Sequence, residues 1–148
     1  MKVHINQIPD EGLHLEGEDP ATILELNDPL AQPRSGVRWA LDIGLSDGGL
    51  FATGKLAVDL SVVCASCMKK FTYPLRVEDF ATQIELNGPE TVDLTDLMRE
   101  DILLALPPYP HCDWNGLNVC KGAVRESTES PGESHAWDEL DKLKFKAN

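Results

Sequence analysis

Basic residues are scarce in this chain. Only 13 Lys and Arg stand against 25 Asp and Glu, a formal net charge of −12. That balance excludes nucleic-acid binding through a broad phosphate-neutralising surface, although it leaves room for a small basic patch or a basic protein partner. Long apolar runs are absent too. No stretch approaches the roughly 18 apolar residues of a membrane helix, and Met1 to Gln7 lacks the apolar centre of a secretory signal. The expectation is a soluble, cytoplasmic protein with no membrane partner. There is no P-loop, dinucleotide glycine fingerprint, nucleophile elbow or His-Glu-x-x-His pattern. His4, His14, His111 and His135 are scattered. A non-enzymatic role is therefore expected. At 148 residues with 42% apolar content, the chain suits one domain with a modest core.

Cysteine is also sparse, and here scarcity is informative. The 4 cysteines are Cys64, Cys67, Cys112 and Cys120. Cys64-Ala65-Ser66-Cys67 has the spacing that lets two thiolates converge on one tetrahedral metal or form a redox pair. In a reducing cytosol a metal or redox site is favoured over a disulfide framework. A thioredoxin-like redox pair needs its C-x-x-C at a helix N-terminus, which lowers the thiol pKa. Here Phe71, Tyr73 and Leu75 recur at period two after the knuckle, a strand pattern, which argues against that use. Four thiolates can close a tetrahedral zinc site and pin a hairpin to the tail, with His111 as a substitute for Cys112. The bland alternative is four unmetallated thiols, because the Cys112-x₇-Cys120 spacing is looser than a standard knuckle.

Alternation organises the middle of the chain. Val37, Trp39, Leu41 and Ile43 share one face of a strand and Arg38, Ala40 and Asp42 the other. Asp47-Gly48-Gly49 reads as a hairpin turn, and Leu50 to Val63 resumes as strand with Gly54 a candidate bulge. Phe71 to Val77 forms the next strand, and Phe80 to Leu86 extends it or lies beside it. The knuckle then sits at a hairpin tip. Residues 93–106 read as the best helix, capped by Asp93 or Thr95, striped by Leu94, Leu97, Met98, Ile102 and Ala105, and stopped by Pro107 and Pro108. Lys2 to Ile8 reads as a short strand, and Pro9 to Pro33 as an acidic, proline-punctuated stretch. Within it, Ala21 to Leu26 suits a strand or a helical turn. A terminal helix from Ser134 to Lys146 has Trp137, Leu140 and Leu143 on its apolar side. The expected fold is α+β: a curved antiparallel sheet or partial β-barrel over about 36–90, one packed helix, and a short C-terminal helix. As one domain, 1–148 divides into an irregular or strand-bearing N-terminal segment (1–35), sheet plus helix (36–110) and a cysteine-bearing tail with the terminal helix (111–148).

The run Cys64-Ala65-Ser66-Cys67-Met68-Lys69-Lys70-Phe71 resembles the C-x-R-C-hydrophobic-x-x-Phe signature of the YceD family, the large ribosomal RNA subunit accumulation proteins of bacteria and plastids. Asp93-Leu94 followed by Arg99 to Pro107 resembles that family's Asp-Leu…Glu-acidic-Ile-Leu-Leu-Ala-Leu-Pro segment. His111-Cys112 and Cys120-Lys121-Gly122 resemble its cysteine-bearing tail, and Trp137 to Phe145 its closing helix. The resemblance covers roughly residues 37–146. It departs at Ser66, where the family usually has Arg, and at Ala123-Val124, where many relatives carry further cysteines. A full second knuckle cannot form. The resemblance implies ribosome biogenesis: a factor supporting accumulation or processing of large-subunit ribosomal RNA, with that RNA or a basic large-subunit ribosomal protein as partner.

Two further constellations have competing readings. Lys69, Lys70 and Arg76 follow the knuckle with Phe71 and Tyr73 between them, a pattern that can hold phosphates and stack bases. The favoured reading is a hairpin with Phe71, Tyr73 and Leu75 facing the core and the lysines solvated. Glu100 and Asp101 are adjacent helical residues that diverge by about 100°, so they suit a solvated or partner-facing pair better than a catalytic one. The class opposed to the ribosomal reading is a zinc-stabilised cytosolic protein-interaction module unrelated to ribosomes.

Overall fold

The computed structural model describes residues 1–122 apart from 47, 87 and 89. The terminal helix expected at 134–146 lies outside the described residues. In chain order the elements are β1 (Lys2–His4), β2 (Leu13–Asp19), β3 (Ala31–Pro33), β4 (Val37–Ser46), β5 (Gly49–Val63), β6 (Lys70–Glu85), β7 (Thr91–Asp93) and the helix α1 (Thr95–Leu104).

β5 is the axis of the main sheet. Its residues alternate strictly: Leu56, Val58, Leu60 and Val62 are buried, while Lys55, Ala57, Asp59 and Ser61 face outward. One edge of β5 pairs antiparallel with β6 from Gly49↔Glu85 to Val63↔Lys70. The other edge pairs first with β4 and, farther along, with β3. β2 adds to the outside of β4. Phe71–Val77 and Phe80–Leu86 thus belong largely to one strand, which ends at Glu85. The register shifts between Gly54 and Leu56. Gly54 is obligatory there, because a Cβ would lie 2.1 Å from the Ala40 carbonyl oxygen.

The inner face of this sheet receives α1. Leu94, Met98 and Ile102 are fully buried against it, as the helical stripe requires. Ala105 differs from expectation. It falls at the C-cap and is exposed, since the helix ends at Leu104. Capping comes from outside the helix: Asp93 Oδ1 accepts the Thr95 backbone N–H at 3.0 Å and also the Thr95 hydroxyl. That hydroxyl bond is the main reason the Asp93 carboxyl titrates below its ordinary value. Glu100 is exposed and Asp101 half-buried.

The sheet is antiparallel and open, with β2 and β6 at its edges, so it does not close into a barrel. The N-terminal segment is more regular than its composition suggested. Strand β1 stops at His4, because Ile5–Gln7 turns into a 3₁₀ helix. Residues Ala21–Leu24 form a second 3₁₀ turn. Strands β2 and β3 both lie inside the stretch read as irregular. β2 hides its alternation, since its inward positions are Leu13, Leu15, Gly17 and Asp19. Gly17 leaves the space that the Trp39 ring fills, 2.6 Å from where a Cβ would sit. Asp19 meets the Met1 α-ammonium at 3.1 Å.

Two outcomes test this description. Gly54→Ala should destabilise the fold by at least about 2 kcal/mol in chemical denaturation, through backbone overlap. Asp93→Ala should cost about 1 kcal/mol at neutral pH through the lost cap. A carboxyl depressed on folding stabilises above its unfolded pKa and loses that contribution as pH falls through its folded value. The Asp93→Ala deficit should therefore shrink below the ordinary Asp value of 3.8.

Candidate metal centre

The end of β5 delivers Cys64 into a tight turn before β6. The Met68 N–H bonds the Cys64 carbonyl at 3.0 Å, and the Cys64 N–H bonds the Lys69 carbonyl at 2.9 Å. Met68 takes a left-handed conformation (φ 59°) that closes this turn. Cys64 and Cys67 are thereby held on one side of the hairpin tip. The second pair arrives by a different route. After α1 the prolines prevent further helix, and the chain crosses to the knuckle, where the Ala65 N–H bonds the Pro110 carbonyl at 2.8 Å. The Cys112 N–H then reaches Cys64 Sγ at 3.4 Å. Between Cys112 and Cys120 the loop turns through an Asp113–Gly116 backbone bond of 2.9 Å. It is anchored by Trp114, whose ring meets Tyr73 edge-on with centroids 5.2 Å apart.

All four sulfurs converge. The Sγ atoms of Cys64, Cys67, Cys112 and Cys120 lie within 4.8 Å of one another. The Cys64–Cys120 and Cys67–Cys112 separations are both 3.7 Å. A metal about 2.3 Å from four tetrahedral sulfurs requires edges of about 3.8 Å, so the cluster fits a tetrahedral thiolate site. These distances are far beyond a disulfide bond, and all four cysteines are free. An all-sulfur donor set suits zinc or an iron–sulfur centre rather than a hard cation.

Electrostatics within the cluster are asymmetric. Backbone N–H groups, chiefly that of Cys67 and then those of Cys112 and Ser66, point at Cys64 Sγ and lower its pKa to about 6. Burial above all raises the Cys112 thiol. Cys120 is raised by its hydrogen bond with Cys112 and by burial. Cys64 is thus readily anionic, while Cys112 and Cys120 hold their protons more tightly than ordinary thiols. A bound cation would replace those protons and offset the charge of the remaining thiolates.

His111 takes no part in the convergence, its Nδ1 lying 3.2 Å from Ser66 Oγ. The structure separates the three basic candidates. Lys69 and Lys70 are exposed at the knuckle. Arg76 lies six residues farther along β6, about 20 Å away at strand rise, and pairs with Asp59 at 3.5 Å. Asp59 also binds Arg38 at 3.0 Å, so two arginines share that carboxylate, and Lys55 nearby binds Glu78 at 2.7 Å. Phe71 and Tyr73 are half-buried and Leu75 buried on the inner face. Sequence reasoning missed the apolar surface around the cluster. Met68, Tyr109, Leu117 and Val119 are each at least 70% exposed there. Its one legible signal was Trp114, Leu117 and Val119 set within a cysteine-bounded loop.

No helix among the described residues is long and apolar enough to cross a membrane. No protein-family model, curated protein or solved structure matches this chain.

The convergence predicts about one tightly held divalent metal per chain, read by elemental analysis of purified protein. Cys67→Ser and Cys120→Ser should each remove most of it and lower the melting temperature. Because Cys112 and Cys120 bind protons more tightly than ordinary thiols, metal affinity should fall as pH is lowered, with protons released on metal addition. Freely reactive thiols in metal-free protein as isolated would contradict the site.

Proposed function

We propose that this chain is a non-enzymatic assembly factor for the large ribosomal subunit, acting by binding, with zinc held by Cys64, Cys67, Cys112 and Cys120. The observation that carries the reading is the convergence of those four sulfurs. Two of the stretches that carry the YceD resemblance, the Cys64–Phe71 knuckle and the Cys112–Gly122 tail, meet in one cluster, as they would if they formed one recognition element. Zinc there supplies a rigid crosslink and no reaction chemistry. Lys69 and Lys70 project from the same end, so large-subunit RNA can be approached locally despite the overall negative charge.

The net charge of −12 and the exposed apolar residues at the cysteine end favour a basic ribosomal protein, or a composite protein–RNA surface, over free RNA. The same apolar surface supports a second reading, a zinc-stabilised interaction module unconnected to ribosomes. Sedimentation of tagged protein in native lysate separates the two. Co-migration with large-subunit precursors, lost in high salt or after ribonuclease and weakened by Lys69→Glu with Lys70→Glu, is the expected result. Confinement to the light fractions under all conditions would favour the interaction module.

A further inference from the structure

An apolar groove of about 330 Å³ runs beside the cysteine cluster. One wall is the end of the β5 hairpin, with Val62, Val63 and Met68; the other is the helix exit, with Leu106, Pro107 and Pro110. Leu30 lies along it, bound through its carbonyl to the Val63 N–H at 2.9 Å and 55% exposed. Among the described residues a single carboxylate, Asp28, lines the groove, and no Lys, Arg or His does. Its carboxylate is held in place by the Leu30 N–H at 2.8 Å. None of the ion pairs among the described residues involves Asp28.

We infer that this groove is a docking site for a short basic, apolar peptide segment of a partner protein. An apolar side chain of that segment seats between Met68 and the prolines, and a neighbouring Lys or Arg meets Asp28. Charge complementarity selects the occupant. Among the described residues that line the groove Asp28 is the only carboxylate and none is basic, and the chain as a whole carries −12. An acidic peptide or a nucleic-acid backbone finds no basic side chain lining the groove. Three features reduce the cost of binding. The proline wall has little conformational freedom to lose. The knuckle wall is fixed by the Ala65–Pro110 bond. The four cysteines tie both walls together, so groove width follows the state of the cluster. The inference deepens the proposed function, on which it rests for the ribosomal identity of the partner, by naming the surface and the chemistry that recognises it.

The test uses the full chain and a fluorescein-labelled peptide with a Leu-Lys-Leu-Arg core in a Gly-Ser background. Controls carry Leu-Glu-Leu-Asp or Ser-Lys-Ser-Arg instead. Only the first should bind saturably by anisotropy, with amide shifts confined to Leu30, Val63, Met68 and their neighbours. Leu30→Glu and Met68→Glu, both at exposed positions, should weaken it at least about tenfold. Asp28→Lys should weaken it and permit the Leu-Glu-Leu-Asp peptide. Equal binding of all three peptides, or indifference to Leu30→Glu in a variant of unchanged circular dichroism, overturns the proposal. Two results would reassign the groove. Shifts at Leu30 and Met68 on replacing Trp137, Leu140 and Leu143 with serine, without peptide, point to the chain's own C-terminal segment. Concentration-dependent self-association lost in Met68→Glu points to a second copy. Failure of the peptide with sedimentation intact removes this inference alone; binding without co-sedimentation leaves the groove and removes the ribosomal reading.

Discussion

Four sulfurs drawn to one point at the tip of a long hairpin are the constraint on which the rest of this protein depends. Among the described residues, the tip and the post-helix segment are otherwise joined by the Ala65–Pro110 backbone bond and the Tyr73–Trp114 contact. Cys64 is the only cysteine that is fully buried, and the apolar core lies along the sheet behind it. Thiols alone would leave an anionic Cys64 beside Cys112 and Cys120, which hold their protons more tightly than ordinary thiols. A cation resolves that arrangement and converts three local turns into a single rigid end. Function is proposed at this end because it is where the four sulfurs, exposed apolar side chains and exposed lysines coincide.

The sheet serves as the support for that end. β5 carries it, since both of its edges are paired. The sheet's outer face is different in character. Arg38 and Arg76 share the Asp59 carboxylate and Lys55 pairs with Glu78, so these cations are engaged in ion pairs within the sheet. The two faces and the tip thus divide into core, ion-paired surface and interaction end.

The central part of this organisation was legible in the sequence for physical reasons. Strict alternation from Val37 to Val63 and from Phe71 onward marks half-buried strands, and Gly54 marks the bulge because no side chain fits there. The C-x-x-C spacing gave the knuckle. What was illegible were the places where a tertiary partner replaces the expected residue. β2 has a glycine and an aspartate at inward positions, which read as loop until Trp39 and the Met1 α-ammonium are in place. Cys112 and Cys120 converge because the loop between them is anchored on Tyr73, a contact that no local pattern encodes. Arg76 looked like a neighbour of Lys69 and Lys70 in sequence, but strand rise carries it away from them.

The order of pairing has a consequence for the chain as it is made. β4, β5 and β6 are sequential, so their sheet needs only near neighbours. β1, by contrast, waits for β7: His4 and Thr91, which share a hydrogen bond, are separated by 87 positions. At roughly 5–20 residues per second, β1 spends on the order of 4 to 20 s without its partner during synthesis. Cys120 emerges later still. The hairpin framework can therefore stand before the N-terminal strand is stitched down, and the cysteine cluster is the last seam to close.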